Sequence, residues 1–477
     1  MLSSHVSRGS AHRWAPLLSA LARRSLSSSL ASPAVAEQPA PRPWVYDMTK
    51  SELIARMQEF DLEPYRARQL WSWIYQQGVV DPYKMTTFSL PLRERLAREI
   101  FQFGLPSVVD PLRSDDDTRK WLLRLDGSLV MPESIGPDRP CVHAPFDPER
   151  GIGLRPDLQD EGPGMWKSLA SAAKKPGVIE TVFIPRGSTG TACLSSQVGC
   201  SLQCSFCRTG AMSKAALRNL SSGEIVAQFL SQRLALGDFP SSRPERIVSN
   251  IVMMGMGEPL LNYRNLTRAV EVLSSEDGLA LSRRRIIVST SGIVPLIERM
   301  GHDLGVELAV SLHAVNDRLR DELVPINKQY PIEMLLDACR KYPTNKPAKK
   351  VTFEYVMLKG VNDSVEEARQ LARLLRPIPS LVNLIPFNPW EGSPYGTSTV
   401  EAIEAFTAAL HDESSRHRGQ IIHVTVRWPR GRDIMAACGQ LANKGVAQAS
   451  RASALVDSLP AAGESPPVGE SGAAAQA

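Results

Sequence analysis

Ile247-Val-Ser-Asn-Ile-Val-Met-Met254 is a short apolar run that stops at Gly255-Met-Gly-Glu-Pro259, after which apolar residues recur at helical spacing over 266–273. The unit is a strand, a polar strand end and a helix, and the chain repeats it. Further candidate strands cover 191–196, 285–289, 306–311, 350–357 and 381–386, and stretches with helical periodicity cover 224–236, 295–300, 332–342 and 365–375. Strands that alternate with helices argue for an α/β protein whose parallel sheet closes fully or partly into a barrel. In such barrels chemistry belongs at the C-terminal strand ends. Here those ends read Gly255-Met-Gly-Glu-Pro259, Ser289-Thr-Ser-Gly292, Ser311-Leu-His313 and Asn383-Leu-Ile-Pro-Phe-Asn388.

Upstream of this repeat the texture differs. Thr49-Lys-Ser-Glu52 reads as a capping box opening a helix with Leu53, Ile54, Met57 and Phe60 inward. After Pro64, residues Ala67, Leu70, Trp71, Ile74 and Tyr75 mark a second helix, so both aromatics belong to a core. Trp121, Leu123 and Leu125 alternate ahead of Asp126-Gly127, which reads as a hairpin turn. Residues 131–177 hold fourteen Pro and Gly and read as a surface insertion. The expected organisation is a leader over 1–36, a helical accessory domain over 45–110, a β extension over 115–190 carrying the insertion, a catalytic barrel over 191–445, and a disordered Ala/Ser/Gly/Pro-rich tail over 446–477.

With 477 residues, 43% hydrophobic and 22% charged, the chain is neither fibrous nor globally disordered. No apolar run approaches the roughly 18 residues of a membrane-spanning helix. The formal charge of +5 sits mostly in the leader, where Arg8, Arg13, Arg23 and Arg24 precede the first acid, Glu37. The other 51 basic residues face 50 acids, so the body is nearly neutral. An Arg- and Ser-rich, acid-poor opening has the composition of an organellar transit peptide, plastid or mitochondrial.

Seven cysteines, an odd number, argue against a disulfide framework. Cys200, Cys204 and Cys207 have the spacing Cys-x3-Cys-x2-Cys, with Phe206 before the last thiol. Three thiolates can hold a [4Fe-4S] cluster with one iron open, able to chelate S-adenosyl-L-methionine and to pass it an electron that breaks the sulfonium bond. A closed zinc site would need a fourth ligand, and the local segment offers none. Cys339 falls in register with Ile332, Leu335 and Leu336 and reads as a core thiol; Cys141 and His143 lie in the insertion without further ligands.

The cysteine spacing resembles that of the radical-SAM superfamily. The stretches Glu180-Thr-Val-Phe-Ile-Pro185, Cys193-Leu-Ser-Ser-Gln-Val-Gly-Cys200, Met253-Met-Gly-Met-Gly-Glu-Pro-Leu-Leu-Asn262, Ser311-Leu-His-Ala314, Val324-Pro-Ile-Asn-Lys328, Asn383-Leu-Ile-Pro386 and Ala437-Cys-Gly-Gln-Leu441 narrow it to the radical-SAM RNA adenine C2 methyltransferases, over about residues 48–445. The resemblance implies a partial (β/α)6 radical-SAM barrel, an RNA-binding N-terminal helical domain and a monomeric enzyme. It also implies a [4Fe-4S] cluster on Cys200, Cys204 and Cys207, and two S-adenosyl-L-methionine per turnover. The substrates would be large-subunit rRNA and, in some members, tRNA, with a flavodoxin or ferredoxin system as electron donor.

By the same resemblance, one S-adenosyl-L-methionine methylates Cys438, and a second yields a radical that takes a hydrogen from the thiomethyl. The resulting carbon adds to adenine C2, tying the base to the protein, and Cys193 releases it by forming a disulfide with Cys438. Glu180 is the matching base for the C2 proton. Gly257, Glu258, Ser289, Ser311, Leu312, His313 and Asn388 match S-adenosyl-L-methionine contacts. Arg283, Arg284 and Arg285, and Arg427, Arg430 and Arg432 before Cys438, are basic groups suited to phosphate. Two alternatives stay open at this point: C8 methylation by the same chemistry, and a non-catalytic iron–sulfur RNA-binding protein, which would need neither Cys193 nor Cys438.

Overall fold

The computed structural model describes residues 42–130, 177–212, 217–343, 350–416 and 422–442. The leader, the insertion with Cys141 and His143, and the tail therefore lie outside the described residues, save Gly177, which opens a strand.

Local chemistry starts the helices. The Thr49 hydroxyl caps α1 (Lys50–Gln58) while the Glu52 carboxylate accepts from the Thr49 amide at 2.9 Å. The same reciprocal box opens the helix Ser222–Ala235 from Ser221 and Glu224, and the helix Val365–Leu375 from Ser364 and Glu367. In α2 (Pro64–Trp71) and the turn Ser72–Gln76 that continues it, Ala67, Leu70, Trp71, Ile74 and Tyr75 are all buried, as their spacing requires.

One ten-stranded sheet organises the chain. Its first three strands, β1 (Leu105–Arg113), β2 (Arg119–Val130) and β3 (Gly177–Arg186), are antiparallel, and β3 pairs antiparallel with β4 (Thr189–Cys193). From β4 onward the neighbours are parallel: β7 (Val248–Met253), β8 (Ile286–Thr290), β9 (Glu307–Ser311), β10 (Val351–Met357), β11 (Ser380–Pro386) and β12 (His423–Val426). A separate two-residue ribbon joins β5 (Gln197–Val198) to β6 (Arg218–Asn219). The six expected barrel strands are present within a few residues, and β12 is a seventh parallel one. Its four residues, His423-Val-Thr-Val426, are too short and too exposed to stand out from the sequence alone.

Asp126-Gly127 does not turn a hairpin. Strand β2 runs through it, and the β1–β2 turn lies instead around Ser114 to Thr118, where the Ser114 amide donates to the Thr118 carbonyl at 2.8 Å. The register slips between Pro106 and Ser107, opposite the Asp126-Gly127 stretch, and Gly127 takes φ +83°. This is a bulge, where a turn dipeptide supplies the positive φ without reversing the chain. Leu123 and Leu125 before it and Val130 after it are all buried against the same core, which keeps the strand in one piece.

The segment after β12 returns to the antiparallel strands. The Gly431 amide donates to Asp116 at 3.0 Å, Arg430 to the Pro185 carbonyl at 2.9 Å, and the Ala442 amide to Glu180 at 3.0 Å. The two ends of the sheet thus face one another across a partly closed barrel. The core is continuous, each wholly buried Leu, Ile or Phe contributing about 1.5–3 kcal/mol.

Arg233 inside the helix Ser222–Ala235 is wholly buried; its Nε donates to Asp238 at 3.0 Å and its Nη1 to Ser241 Oγ at 2.8 Å. Asp238→Ala strips this guanidinium of its counter-ion, and a loss of about 3–5 kcal/mol is expected. An unchanged melting temperature in thermal denaturation of the variant would contradict this.

Candidate active site

A cavity opens at the C-terminal strand ends. Its lining includes Cys207, Gly257, Glu258, Ser289, Ser311, His313 and Cys438, seven of the residues singled out from the sequence. Two loops beneath it are joined mainly through backbone amides. The Gly255 amide donates to the Leu194 carbonyl at 3.0 Å, the Met256 amide to Ser195 Oγ at 2.9 Å, and the Ser196 amide to the Met256 carbonyl at 2.8 Å. Gly257 has φ +97°, and a Cβ there would lie 2.8 Å from the Gln197 amide nitrogen. Its need for glycine is therefore met inside the protein, by the approach of Gln197. The Gln197 side chain in turn accepts from the Glu258 amide at 2.9 Å.

Glu258 is buried, with its oxygens accepting from the Leu260 amide at 3.1 Å and the Ser291 amide at 2.8 Å. Burial outweighs these bonds and pushes its carboxyl up to about 7. His313 holds a left-handed backbone, φ +61°, tied by the Asn362 amide on its carbonyl at 2.8 Å. Its Nδ1 accepts from the Val356 amide at 3.0 Å, which assigns the ring proton to Nε2. Burial brings this imidazole down to about 3, so it stays neutral, and its ring meets Phe206 edge-on at 4.7 Å.

Cys200, Cys204 and Cys207 act on one another's charge, and burial raises all three thiols. No three His, Cys, Asp or Glu side chains among the described residues gather tightly enough for a single ion. Three neighbouring thiols are a donor set that suits a [4Fe-4S] cluster, where each ligates a different iron. The loop folds as a tight turn, with the Cys207 amide donating to the Cys204 carbonyl at 3.1 Å, and Gly210 packs where a Cβ would lie 3.0 Å from that carbonyl.

The Cys438 segment docks onto this loop. Gly439 accepts from the Arg208 amide at 2.8 Å, Leu441 from the Thr209 hydroxyl at 2.6 Å, and the Cys438 carbonyl from Asn388 Nδ2 at 3.1 Å. Asn388 also accepts from Arg432 at 3.0 Å, so both ends of its amide hold this loop and it does not line the cavity. Leu312 is buried and contributes only its backbone. Cys193 is buried behind the cavity, close enough to Cys438 that the two charges interact, and its thiol is pushed up to about 12 by burial first and by Cys438 second. Glu180 also lies outside the lining; its buried carboxylate sits 3.2 Å from Lys120 Nζ and accepts from the Ala442 amide. Burial raises this carboxyl, and Lys120 opposes the rise.

Three residues escaped the sequence reading of the site. Lys120 lies in a strand that reads only as an amphipathic hairpin arm. Arg320 is wholly buried and donates to the carbonyls of Leu312, Ser311 and Ser291 and to Asn327 Oδ1, all at 2.8–3.0 Å. Asn327, inside Val324-Pro-Ile-Asn-Lys328, was the available signal. Glu354 lines the cavity from mid-β10 and looks in sequence like one more strand residue. The basic clusters also separate. Arg283, Arg284 and Arg285 are exposed just before β8, at the opposite end of the strands from the cavity, so they cannot meet a base bound there. Arg430 and Arg432 spend donors on Pro185, Asn388 and Phe387, which shape the loop.

Comparison with known proteins agrees with this site. Residues 194–372 match the radical SAM superfamily, and residues 45–101 match the ribosomal RNA large subunit methyltransferase N-terminal domain. A dual-specificity RNA methyltransferase RlmN from Parvibaculum lavamentivorans is 45% identical over 412 residues, covering 85% of this chain and 90% of the relative. The chain belongs to the RlmN family. A relative of the same name from a Chelativorans species is 47% identical over 385 residues, covering 79% of this chain and 81% of its own. A crystal structure of a radical SAM methyltransferase from Sphaerobacter thermophilus superposes with a TM-score of 0.66 at 39% identity, covering 83% of this chain and 98% of that one. Membership in this family entails a [4Fe-4S] cluster and S-adenosyl-L-methionine.

Arg320 carries a prediction. Lysine cannot span four acceptors, so Arg320→Lys should loosen the ends of β8 and β9 at once and weaken S-adenosyl-L-methionine binding at least tenfold. Equilibrium dialysis checks this, and wild-type affinity would refute it.

Proposed function

We propose that this protein is a radical-SAM methyltransferase that places a methyl group on C2 of an adenine in large-subunit rRNA, and in tRNA, through a carbon carried on Cys438. The observation that carries the reading is the meeting of Cys193 and Cys438, from opposite ends of the barrel, beside one cationic group, Arg427. A non-catalytic RNA-binding protein has no use for that pairing, and C8 methylation has no observation in its favour.

Cys200, Cys204 and Cys207 would hold the cluster, and Gly257, Glu258, Ser289, Ser311 and His313 would contact S-adenosyl-L-methionine, with Leu312 and Asn388 shaping its edge. When bound, the pair supplies one-electron cleavage of a sulfonium bond and so a strong abstractor of hydrogen atoms.

The chain's own residues do the rest. Arg427 lines the cavity together with Cys438, whose sulfur is the atom that accepts the methyl group. Once alkylated, Cys438 is a neutral thioether beside Cys193, whose thiol burial keeps protonated until it is called on. After radical addition the adduct would give up one electron to the bound redox centre and its C2 proton to Glu180; attack of Cys193 on the Cys438 sulfur then forms the S–S bond and breaks the S–C bond, whose electron pair stays on the base-bound carbon and takes up a proton to complete the methyl group. Lys120 holds that carboxylate in place at 3.2 Å.

The same proposal extends to the protein's surroundings. An external donor of the flavodoxin or ferredoxin kind delivers the electrons, and the enzyme works as a monomer. The helical domain at 45–110 helps to hold RNA. The Arg- and Ser-rich residues 1–36 direct the protein to a plastid or mitochondrion; a reporter fused to them should enter an organelle, and a diffuse cytosolic reporter would count against it. No helix among the described residues is long and apolar enough to cross a membrane.

Cys193→Ala should accumulate as a covalent protein–RNA conjugate, because release fails after the bond has formed, whereas Cys438→Ala should give none. Denaturing gels and mass spectrometry of the anaerobically purified variants decide the matter. Methylation by the Cys438 variant would overturn the mechanism. Cys204→Ala should lose the cluster, read as iron content; an undiminished iron signal would reassign these thiols.

A further inference from the structure

Among the described residues that line the cavity, one buried side-chain oxygen has no hydrogen-bond partner, Glu354 Oε2. The residue is only 4% exposed. Its other oxygen accepts from Asn383 Nδ2 at 3.0 Å, and its carbonyl accepts from the Leu312 amide at 3.1 Å, so the carboxylate is held in place on the inward face of β10, two residues before the cavity-lining Val356. A buried carboxylate oxygen left without a donor is costly unless a ligand supplies one. The fixed, orphaned acceptor therefore points to a ligand with an N–H or O–H at that spot.

The sheet order says which ligand. Gly257, Glu258 and Ser289 stand at the ends of β7 and β8, and Ser311 and His313 at the end of β9, where Ser311 is the register partner of Glu354. Glu354 stands on β10, with Asn383 on β11 and Arg427 just past β12. Glu354, Arg427 and Cys438 all line the cavity, so the orphaned oxygen shares it with the carbon-carrying thiol. Burial raises this carboxyl, and Arg427 and the Asn383 amide oppose the rise; when ionised, its free oxygen can only accept.

Resting on the methyltransferase reading, we propose that Glu354 Oε2 accepts a hydrogen bond from the exocyclic N6 amino group of the target adenine and so sets the base identity of the site. Adenine presents an amino donor where guanine and inosine present the O6 acceptor. A carboxylate bonds the first and repels the second. Inosine is the informative probe, because it keeps an open C2–H and differs from adenosine at position 6, together with the N1 proton.

The test uses the full-length holoenzyme and a synthetic RNA stem-loop with adenosine or inosine at the position that the wild type methylates. For the wild type, kcat/KM is expected to fall at least about 100-fold on changing adenosine to inosine, since a site built to bond a donor strongly rejects an analogue lacking it. Glu354→Gln offers an amide that presents either oxygen or N–H, so the adenosine-to-inosine ratio should collapse to below about tenfold. Glu354→Ala should lose adenosine activity without gaining inosine activity. Iron content and melting temperature report folding of each variant, and dialysis reports S-adenosyl-L-methionine affinity. A Glu354→Gln enzyme that keeps the wild-type ratio would overturn the assignment. So would a tenfold loss of S-adenosyl-L-methionine affinity with the ratio unchanged, which would give the carboxylate to that ligand. A wild type that methylates no adenosine RNA would instead bring down the methyltransferase reading, and the base subsite with it.

Discussion

A single buried hydroxyl ties the working parts together. Ser195 Oγ donates to the Glu180 carbonyl at 2.7 Å and accepts from the Met256 amide at 2.9 Å. It thereby fastens β3 and the loop after β7 to the stretch that leads from Cys193 to Cys200. Ser195's own backbone is held by Gln228, whose side chain accepts from its amide at 2.8 Å and donates to its carbonyl at 2.9 Å. In a water-poor interior each of these bonds is costly to leave unmade, so the arrangement resists piecemeal loosening. Gly255 shows how little room is left: a Cβ there would lie 2.6 Å from the Ser195 oxygen.

Around this knot the barrel presents two polar faces to one cavity. The side near β7 and β8 carries Glu258, with burial raising its carboxyl and backbone amides holding it. The side near β10 to β12 carries Glu354 and Arg427. Arg320 lies outside the cavity lining and fixes the strand ends between them through backbone carbonyls. The cavity is therefore preorganised by groups that need not touch a ligand, which spares the enzyme the cost of ordering its site at each turnover.

The Cys438 loop illustrates a division of labour within one short segment. Gly431, Arg430, Arg432 and Asp433 bind the segment to Asp116, Pro185, Asn388 and Ser114. Cys438 itself stays partly exposed at the cavity. Basic residues that sequence reasoning reserves for phosphate are thus occupied first in shaping the loop. The exposed Arg284 and Arg285, free of that task, sit at the wrong end of the strands to serve the site.

What the sequence by itself determined is local or periodic. Capping boxes, alternation of strand and helix, thiol spacing and the glycines at strand ends are all written in neighbouring residues, because helix initiation and strand burial depend on side chains a few positions apart. The strand ends and the three clustered cysteines were legible for that reason. What only the tertiary structure decided depends on groups brought together from distant parts of the chain. Lys120 becomes Glu180's partner because β2 lies beside β3. Arg320 acquires its carbonyl acceptors from the ends of two strands, β8 and β9, and Asp126-Gly127 becomes a bulge because both flanks of β2 have a core to fill. The orphaned oxygen of Glu354 exists only once β9, β10 and β11 are aligned, since hydrogen-bond satisfaction is a property of the folded interior and leaves no mark on the order of residues.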